Sequence, residues 1–246
     1  MTNKYMYFIA NWKMFGTLKT LNSLKKVISF SNNYKKNKIN IIYCPPTTLI
    51  RPLFKKLKKS PIEVGAQNCH ESMNYASYTG QINSNMLKDV GAKYVILGHS
   101  ENRQTGEDNK LINQKIKSSL KSGLKVIFCI GETLKEKNKN KTNRVLSSQI
   151  KNCLKGIKNY SEIIIAYEPV WAIGTGKIPK LNDLRENILF IKKKFKNSSI
   201  KVLYGGSVNS KNIRDLKKIS LIDGFLIGGE SRDSKKFIDI IKKTYN

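Results

Sequence analysis

Short apolar runs alternate with longer amphipathic stretches along this chain. The runs are Tyr7–Ala10, Ile39–Tyr43, Glu63–Ala66, Tyr94–Leu97, Lys125–Cys129, Ile163–Tyr167, Lys201–Tyr204 and Gly224–Ile227. Ile163-Ile164-Ile165-Ala166-Tyr167 sets the type: β-branched and unbroken by polar residues, as in a strand buried on both faces. Between the runs, apolar residues recur three and four apart, in Asn109–Ser122, Thr142–Lys158 and Leu181–Lys196, as on one face of a helix. Strands alternating with helices make βαβ units and therefore a parallel sheet. About eight such units in 246 residues is the arithmetic of a closed (β/α)8 barrel in the α/β class. An open doubly wound sheet is the alternative, but no G-x-G-x-x-G follows the first run to support it. No linker, repeat or low-complexity tract divides residues 1–246, so a single domain is expected.

Charge adds a question. Lys and Arg number 46 against 17 Asp and Glu, a net charge of +29. Such a balance suits a nucleic-acid binder, or steering of an anionic substrate. The lysines, however, fall in short clusters on several expected helices (Lys55 to Lys59, Lys135 to Lys141, Lys192 to Lys196). No single basic arm interleaved with aromatics is present, so the bias reads as compositional drift with steering as a by-product. Cys44, Cys69, Cys129 and Cys153 lack C-x-x-C spacing, and His70 and His99 are the only histidines. A disulfide framework or zinc site is therefore not expected, and a reducing compartment is. The first run starts too early for a cleaved signal, and no apolar run approaches the ~18 residues needed to span a bilayer. The expectation is a soluble, cytoplasmic protein.

In a barrel of this kind the chemistry gathers where strands end. The first end gives Asn11-Trp12-Lys13, the fourth Gly98-His99-Ser100-Glu101, the sixth Glu168-Pro169. The seventh gives Gly205-Gly206-Ser207 and the eighth Gly228-Gly229; the second, Cys44-Pro45-Pro46, reads as a turn and nothing more. After Glu168 the chain runs through Pro169 and an apolar tip, Val170-Trp171-Ala172-Ile173, into Gly174-Thr175-Gly176-Lys177. An apolar, Gly-containing loop is costly to leave in water unless it closes over something. Its glycines can present backbone N–H groups to an oxyanion. Base, lid and anion grip thus lie close together. The bland alternative for Glu168-Pro169 alone is a glutamate solubilising a rim. Each glycine pair alone also reads as a tight turn, but Gly-containing breaks after three consecutive strands point to a shared phosphate site.

The stretches Ala10-Asn11-Trp12-Lys13, Gly65-Ala66-Gln67-Asn68, Gly98-His99-Ser100-Glu101, Ala166 to Lys177, Tyr204-Gly205-Gly206-Ser207-Val208 and Asp223-Gly224-Phe225 closely resemble the triosephosphate isomerase family, in the family's order. The resemblance implies interconversion of glyceraldehyde 3-phosphate and dihydroxyacetone phosphate by a homodimer, without cofactor or metal. It implies Glu168 as base, its pKa raised beside the apolar lid. It implies His99 as the neutral polariser of the substrate oxygen, a point for which this family is itself the standing illustration. Lys13 supplies fixed positive charge to a dianionic substrate and a developing enediolate. Asn11 orients Lys13, and Glu101 is either a structural ion-pair partner or a proton relay. Phosphate falls to the amides of Gly174, Ser207, Gly228 and Gly229, with the Ser207 hydroxyl assisting, and Tyr204 is expected to hold the closed lid. The break from Asn68 to Gly80 is too long for an ordinary βα connection. In the family it inserts into the partner, which makes Thr79 the residue reaching the neighbouring site and His70, Tyr75 and Tyr78 interface residues. Cys129 reads as buried packing.

Four positions depart from the family pattern. Glu230 stands where alanine is usual and could compete with phosphate for the same amides. The expectation is that it points outward, offset by Arg232 in place of a usual leucine. Pro179 replaces alanine at the lid's C-terminal hinge, which restricts hinge freedom. Asn102 replaces an arginine, which puts a structural ion pair in doubt. Two competing functions stay in view: another phosphate-binding barrel isomerase, which lacks the Lys13, His99, Glu168 set, and a basic module binding nucleic acid on an inactive barrel, against which retention of that set argues.

Overall fold

A computed structural model describes residues 5–34, 38–195 and 199–245. Its eight strands are β1 (Met6–Asn11), β2 (Ile39–Cys44), β3 (Glu63–Ala66), β4 (Tyr94–Leu97), β5 (Lys125–Ile130), β6 (Ile163–Tyr167), β7 (Lys201–Tyr204) and β8 (Gly224–Ile227). They pair in parallel in chain order, and β8 closes on β1 with Tyr7 opposite Gly224 and Ala10 opposite Ile227. Every apolar run became a strand. The reason is the burial the runs anticipated: Ile9, Ile42, Ile96, Ile127, Ile164, Leu203 and Leu226 fill the barrel interior, with Tyr7 and Tyr94 joining them. The alternate positions, among them Phe8, Tyr43, Val95, Phe128, Ile165, Val202 and Phe225, pack outward beneath the helices. Closure between β8 and β1 depends on a bare backbone: a Cβ on Gly224 (φ +153°) would lie 2.2 Å from the Tyr7 carbonyl oxygen.

The helices are α1 (Lys25–Asn33), α2 (Thr47–Leu57), α3 (Ser84–Asp89), α4 (Ser100–Gln104), α5 (Asn109–Lys121), α6 (Leu134–Asn138), α7 (Thr142–Cys153), α8 (Leu181–Lys193), α9 (Ile213–Leu216) and α10 (Ser234–Tyr245). In α5 the Asp108 side chain caps the Leu111 amide at 2.7 Å, and Ile112 and Ile116 form the buried stripe. Leu146, Ile150 and Cys153 do so in α7, and Leu184, Ile188 and Ile191 in α8. Helix α7 stops at Cys153, not Lys158, because Leu154 caps it and Gly156 then turns through φ +78° towards β6. For α8 the expected end, Lys196, lies outside the described residues. The short α6 begins with a capping box, Thr133 and Glu136 satisfying each other's backbone N–H.

Candidate active site

Lys13 leaves β1 at φ +54°, one of two non-glycine residues in the left-handed region among the described residues. Such a conformation persists only where neighbours enforce it. Here the Lys13 N–H donates to Asn11 Oδ1 at 3.0 Å, while Gln67 Nε2 donates to the Lys13 carbonyl and to the Cys44 carbonyl, each at 2.8 Å. The Cys44 carbonyl also receives the Trp12 amide at 3.1 Å, so the end of β2 is more than a turn: it braces the lysine's loop. The Lys13 ammonium ends 2.5 Å from Glu101 Oε1.

His99 caps the N-terminus of α4, its Nδ1 accepting from the Glu101 amide at 3.3 Å, with Glu101 Oε2 3.5 Å away. With Nδ1 accepting, the ring proton sits on Nε2, and Nε2 faces Glu168 Oε1 at 3.6 Å. Glu168 follows β6 with its amide bonded to the Ile130 carbonyl at 2.8 Å and is 3% exposed. Burial raises its pKa above the usual carboxylate range; His99, the Cys129 thiol and Lys13 pull it back in part, and Glu101 pushes it up again. Its Oε2 has no hydrogen-bond partner. Bare backbones make room for it, since a Cβ on Gly205 would stand 2.7 Å from Glu168 Cγ. Lys13, His99 and Glu168 share a cavity of about 300 Å³ at the C-terminal mouth of the barrel, with Asn11, Gly174, Ser207, Gly228 and Gly229 in its walls. A buried carboxylate of raised pKa, an oriented imidazole and a fixed cation around one cavity make a device for moving a proton beside a polarised oxygen.

Residues 6–244 match the family model described as triosephosphate isomerase. The chain belongs to the triosephosphate isomerase family. It is 40% identical over 244 residues to the triosephosphate isomerase of Thermodesulfovibrio yellowstonii, covering 96% of this chain and 98% of that one. With the enzyme of Dictyostelium discoideum it shares 39% over 252 residues, covering 98% and 97% of the two chains. The crystal structure of the triosephosphate isomerase from Bartonella henselae superposes with a TM-score of 0.89 at 34% identity, covering 98% of this chain and all of that one. Membership makes this barrel an aldose–ketose isomerase of glycolysis.

In this isomerase fold the segment after Glu168 is tied down from two sides. On one, the Trp171 indole N–H donates to Glu132 Oε1 at 3.0 Å, and the Lys137 ammonium lies 3.7 Å from the Trp171 ring centroid. Glu132 also accepts from the Tyr167 hydroxyl at 3.1 Å, and the Val170 amide meets its carbonyl at 3.0 Å. Its burial at 1% exposure raises its pKa against those hydrogen bonds. On the other side, the Ser207 N–H and hydroxyl both donate to the Ala172 carbonyl, at 3.1 and 2.7 Å, and the Gly176 amide donates to Ser207 Oγ at 3.0 Å. Ser207 thus holds the Ala172–Gly176 segment while also lining the cavity. The Tyr204 hydroxyl is buried without a hydrogen-bond partner, and a Cβ on Gly206 would fall 2.3 Å from it. Pro179, buried at the far hinge, has no N–H to offer.

At the rim, Glu230 is among the residues that line the cavity. Its partner is Lys236, Nζ to Oε1 3.6 Å, because the Arg232 guanidinium sits 4.0 Å over the Phe15 ring and donates from Nε to the Gly229 carbonyl. Neighbouring Asn102, Arg103 braces the loop by donating to the Gly98 carbonyl and to Asn109 Oδ1, both at 2.8 Å. Cys129 is packed inside the barrel with its thiol pKa pushed well up by burial and Glu168. The loop expected to reach a partner carries Tyr75 at 77% and Tyr78 at 55% exposure, Tyr78 stacked on His70 with centroids 4.5 Å apart; Thr79 is exposed beside them. Sequence reasoning missed Gln67 and Glu132 as working residues. Gln67 lay within a matched stretch, and Glu132 follows the fifth run as a carboxylate near a strand end, the same signal that marked Glu168. Among the described residues no cluster of His, Cys, Asp and Glu could hold a metal, and no helix is long and apolar enough to cross a membrane.

Proposed function

We propose that Glu168, His99 and Lys13 interconvert D-glyceraldehyde 3-phosphate and dihydroxyacetone phosphate through an enediolate. Glu168 removes the proton from the carbon beside the carbonyl and returns it to the neighbouring carbon. The His99 Nε2–H is shared with the substrate oxygens as charge moves between them, and the Lys13 ammonium stabilises the oxygen that becomes negative. Asn11 orients Lys13, and Glu101 pairs with it. Only protons move, so the steps ask for no metal or redox cofactor. The amides of Gly174, Ser207, Gly228 and Gly229 grip the phosphate, with Ser207 exchanging its hold on Ala172 for the anion. The lid, Pro169 to Lys177, expels water and protects the enediolate from losing phosphate. The whole chain acts as one barrel domain, in the cytoplasm and as a homodimer through the loop carrying Tyr75, Tyr78 and Thr79.

The observation that carries this reading is the buried Glu168 carboxylate, its pKa raised by burial, facing His99 Nε2 at 3.6 Å in a cavity shared with Lys13. The test is isomerisation of glyceraldehyde 3-phosphate by the purified protein beside Glu168→Asp. Retreat of the carboxylate by one methylene lowers kcat about a hundredfold or more with little change in KM. Equal kcat in the two proteins assigns the base elsewhere.

A further inference from the structure

Glu230 lines the cavity that carries Lys13, His99 and Glu168. Besides Glu168 it is the only acidic residue in the lining, where the cations are Lys13 and Arg232. It belongs to the 3₁₀ turn Gly229–Arg232, directly after the Gly228 backbone that forms the same wall. Its charge is poorly neutralised. Lys236 stands off at 3.6 Å with its side chain 60% exposed, and Arg232 is occupied with Phe15 and the Gly229 carbonyl. Exposed pairs of that kind couple weakly. With its side chain only 34% exposed, Glu230 keeps part of its field in the cavity, where water screens it less than on an open surface.

We propose that Glu230 is a specificity-determining residue whose carboxylate weakens the cavity's hold on anions in proportion to their charge, so that a monophosphate is admitted and a bisphosphate turned away. The inference rests on the reading that the substrate phosphate sits among Gly174, Ser207, Gly228 and Gly229. Amide hydrogen bonds reward a phosphate group for its shape, once per group seated. Repulsion by a fixed carboxylate grows linearly with the charge of everything the ligand carries. A tetraanion therefore meets up to about twice the free-energy penalty of a dianion, the second phosphate counting less the further it lies from Glu230, so the factor in affinity is at most squared.

Glu230→Gln keeps the side chain's size and hydrogen-bonding capacity and deletes only the charge. Competitive inhibition constants are measured for glycerol 3-phosphate and propane-1,3-diol bisphosphate, with wild type and variant at low and moderate salt. The variant binds the monophosphate about threefold and the bisphosphate up to about tenfold more tightly, and both gains shrink as salt rises. KM for glyceraldehyde 3-phosphate falls with the first of these, and kcat moves less. Lys236→Met shifts both constants the other way. Equal tightening of the two inhibitors, no tightening, or gains that ignore salt overturn the proposal. If wild type shows no competition by glycerol 3-phosphate, the phosphate reading falls and takes the proposal with it; competition without charge dependence removes the proposal alone.

Discussion

Glu168 shows how much of a site's chemistry is set by a single residue's surroundings. Burial holds its folded-state pKa above that of an unfolded glutamate, about 4.3. Between those two values the native chain binds the extra proton, so stability falls as pH rises through that window and stays lowered above it. Glu168→Gln should accordingly raise Tm by a few degrees near neutral pH, and the gain should vanish below about pH 4. Thermal melts across pH check this, and a gain that grows on acidification contradicts it. The same shift places the acidic limb of kcat/KM above the range of an ordinary glutamate. Gln67 makes a complementary case. Its two bonds to the Lys13 and Cys44 carbonyls hold a strained lysine backbone without touching the cavity. Gln67→Ala is expected to lower kcat/KM about tenfold to a hundredfold through misplacement of Lys13. Calorimetry should find only a modest loss of Tm, and an inactive but equally stable protein with an unchanged Lys13 position would refute that route.

At the scale of elements, the segment proposed as a lid was legible as an apolar, Gly-containing break after β6, but its moorings were not. Glu132 comes from the end of β5, Lys137 from α6 and Ser207 from the end of β7, and only barrel closure brings these next to residues 170–176. Ser207, just past β7, bonds Ala172 and Gly176 of that segment, and the Tyr204 hydroxyl is buried without a partner. Ser207→Ala should therefore loosen the lid, lowering kcat/KM roughly tenfold and raising the fraction of turnovers that end in free phosphate, since water then reaches the enediolate. A phosphate-release assay run beside the isomerisation assay reads both. Pro179→Ala restores hinge freedom and should change the lid-opening rate with the chemistry intact; identical relaxation dispersion in the two proteins would count against this.

For the whole molecule, surface and charge carry the consequences. Met14, Phe15, Leu18, Tyr75 and Tyr78 are large apolar side chains left exposed at 93, 53, 65, 77 and 55%. Apolar exposure on that scale is typical of a surface that another chain covers. Replacing Met14 and Tyr75 together by aspartate should give a monomer by sedimentation and abolish most turnover; a dimer of full activity would place the interface elsewhere. The net charge of +29 predicts that kcat/KM for the dianionic substrate falls as salt rises, to the extent that encounter limits the rate. Charge at long range gathers the substrate, while a local charge such as Glu230 sorts what has arrived.

The sequence alone marked the eight strands, because short apolar runs alternating with amphipathic stretches are what a parallel sheet covered by helices requires, and it marked the strand ends, because glycines and lone polar groups show where such strands leave the core. Lys13, His99 and Glu168 were each visible in this way. Their partnerships were decided only in three dimensions. Lys13 meets Glu101 across 88 positions and Asn68 meets Glu107 across 39. Gln67, Glu132 and Ser207 acquired their roles through carbonyls and side chains on other loops, and Glu230 took Lys236 in place of Arg232 because Phe15 had claimed the guanidinium. Local pattern fixes what a segment must bury. Which groups then face one another depends on the closed register of the barrel, a property of all eight strands at once.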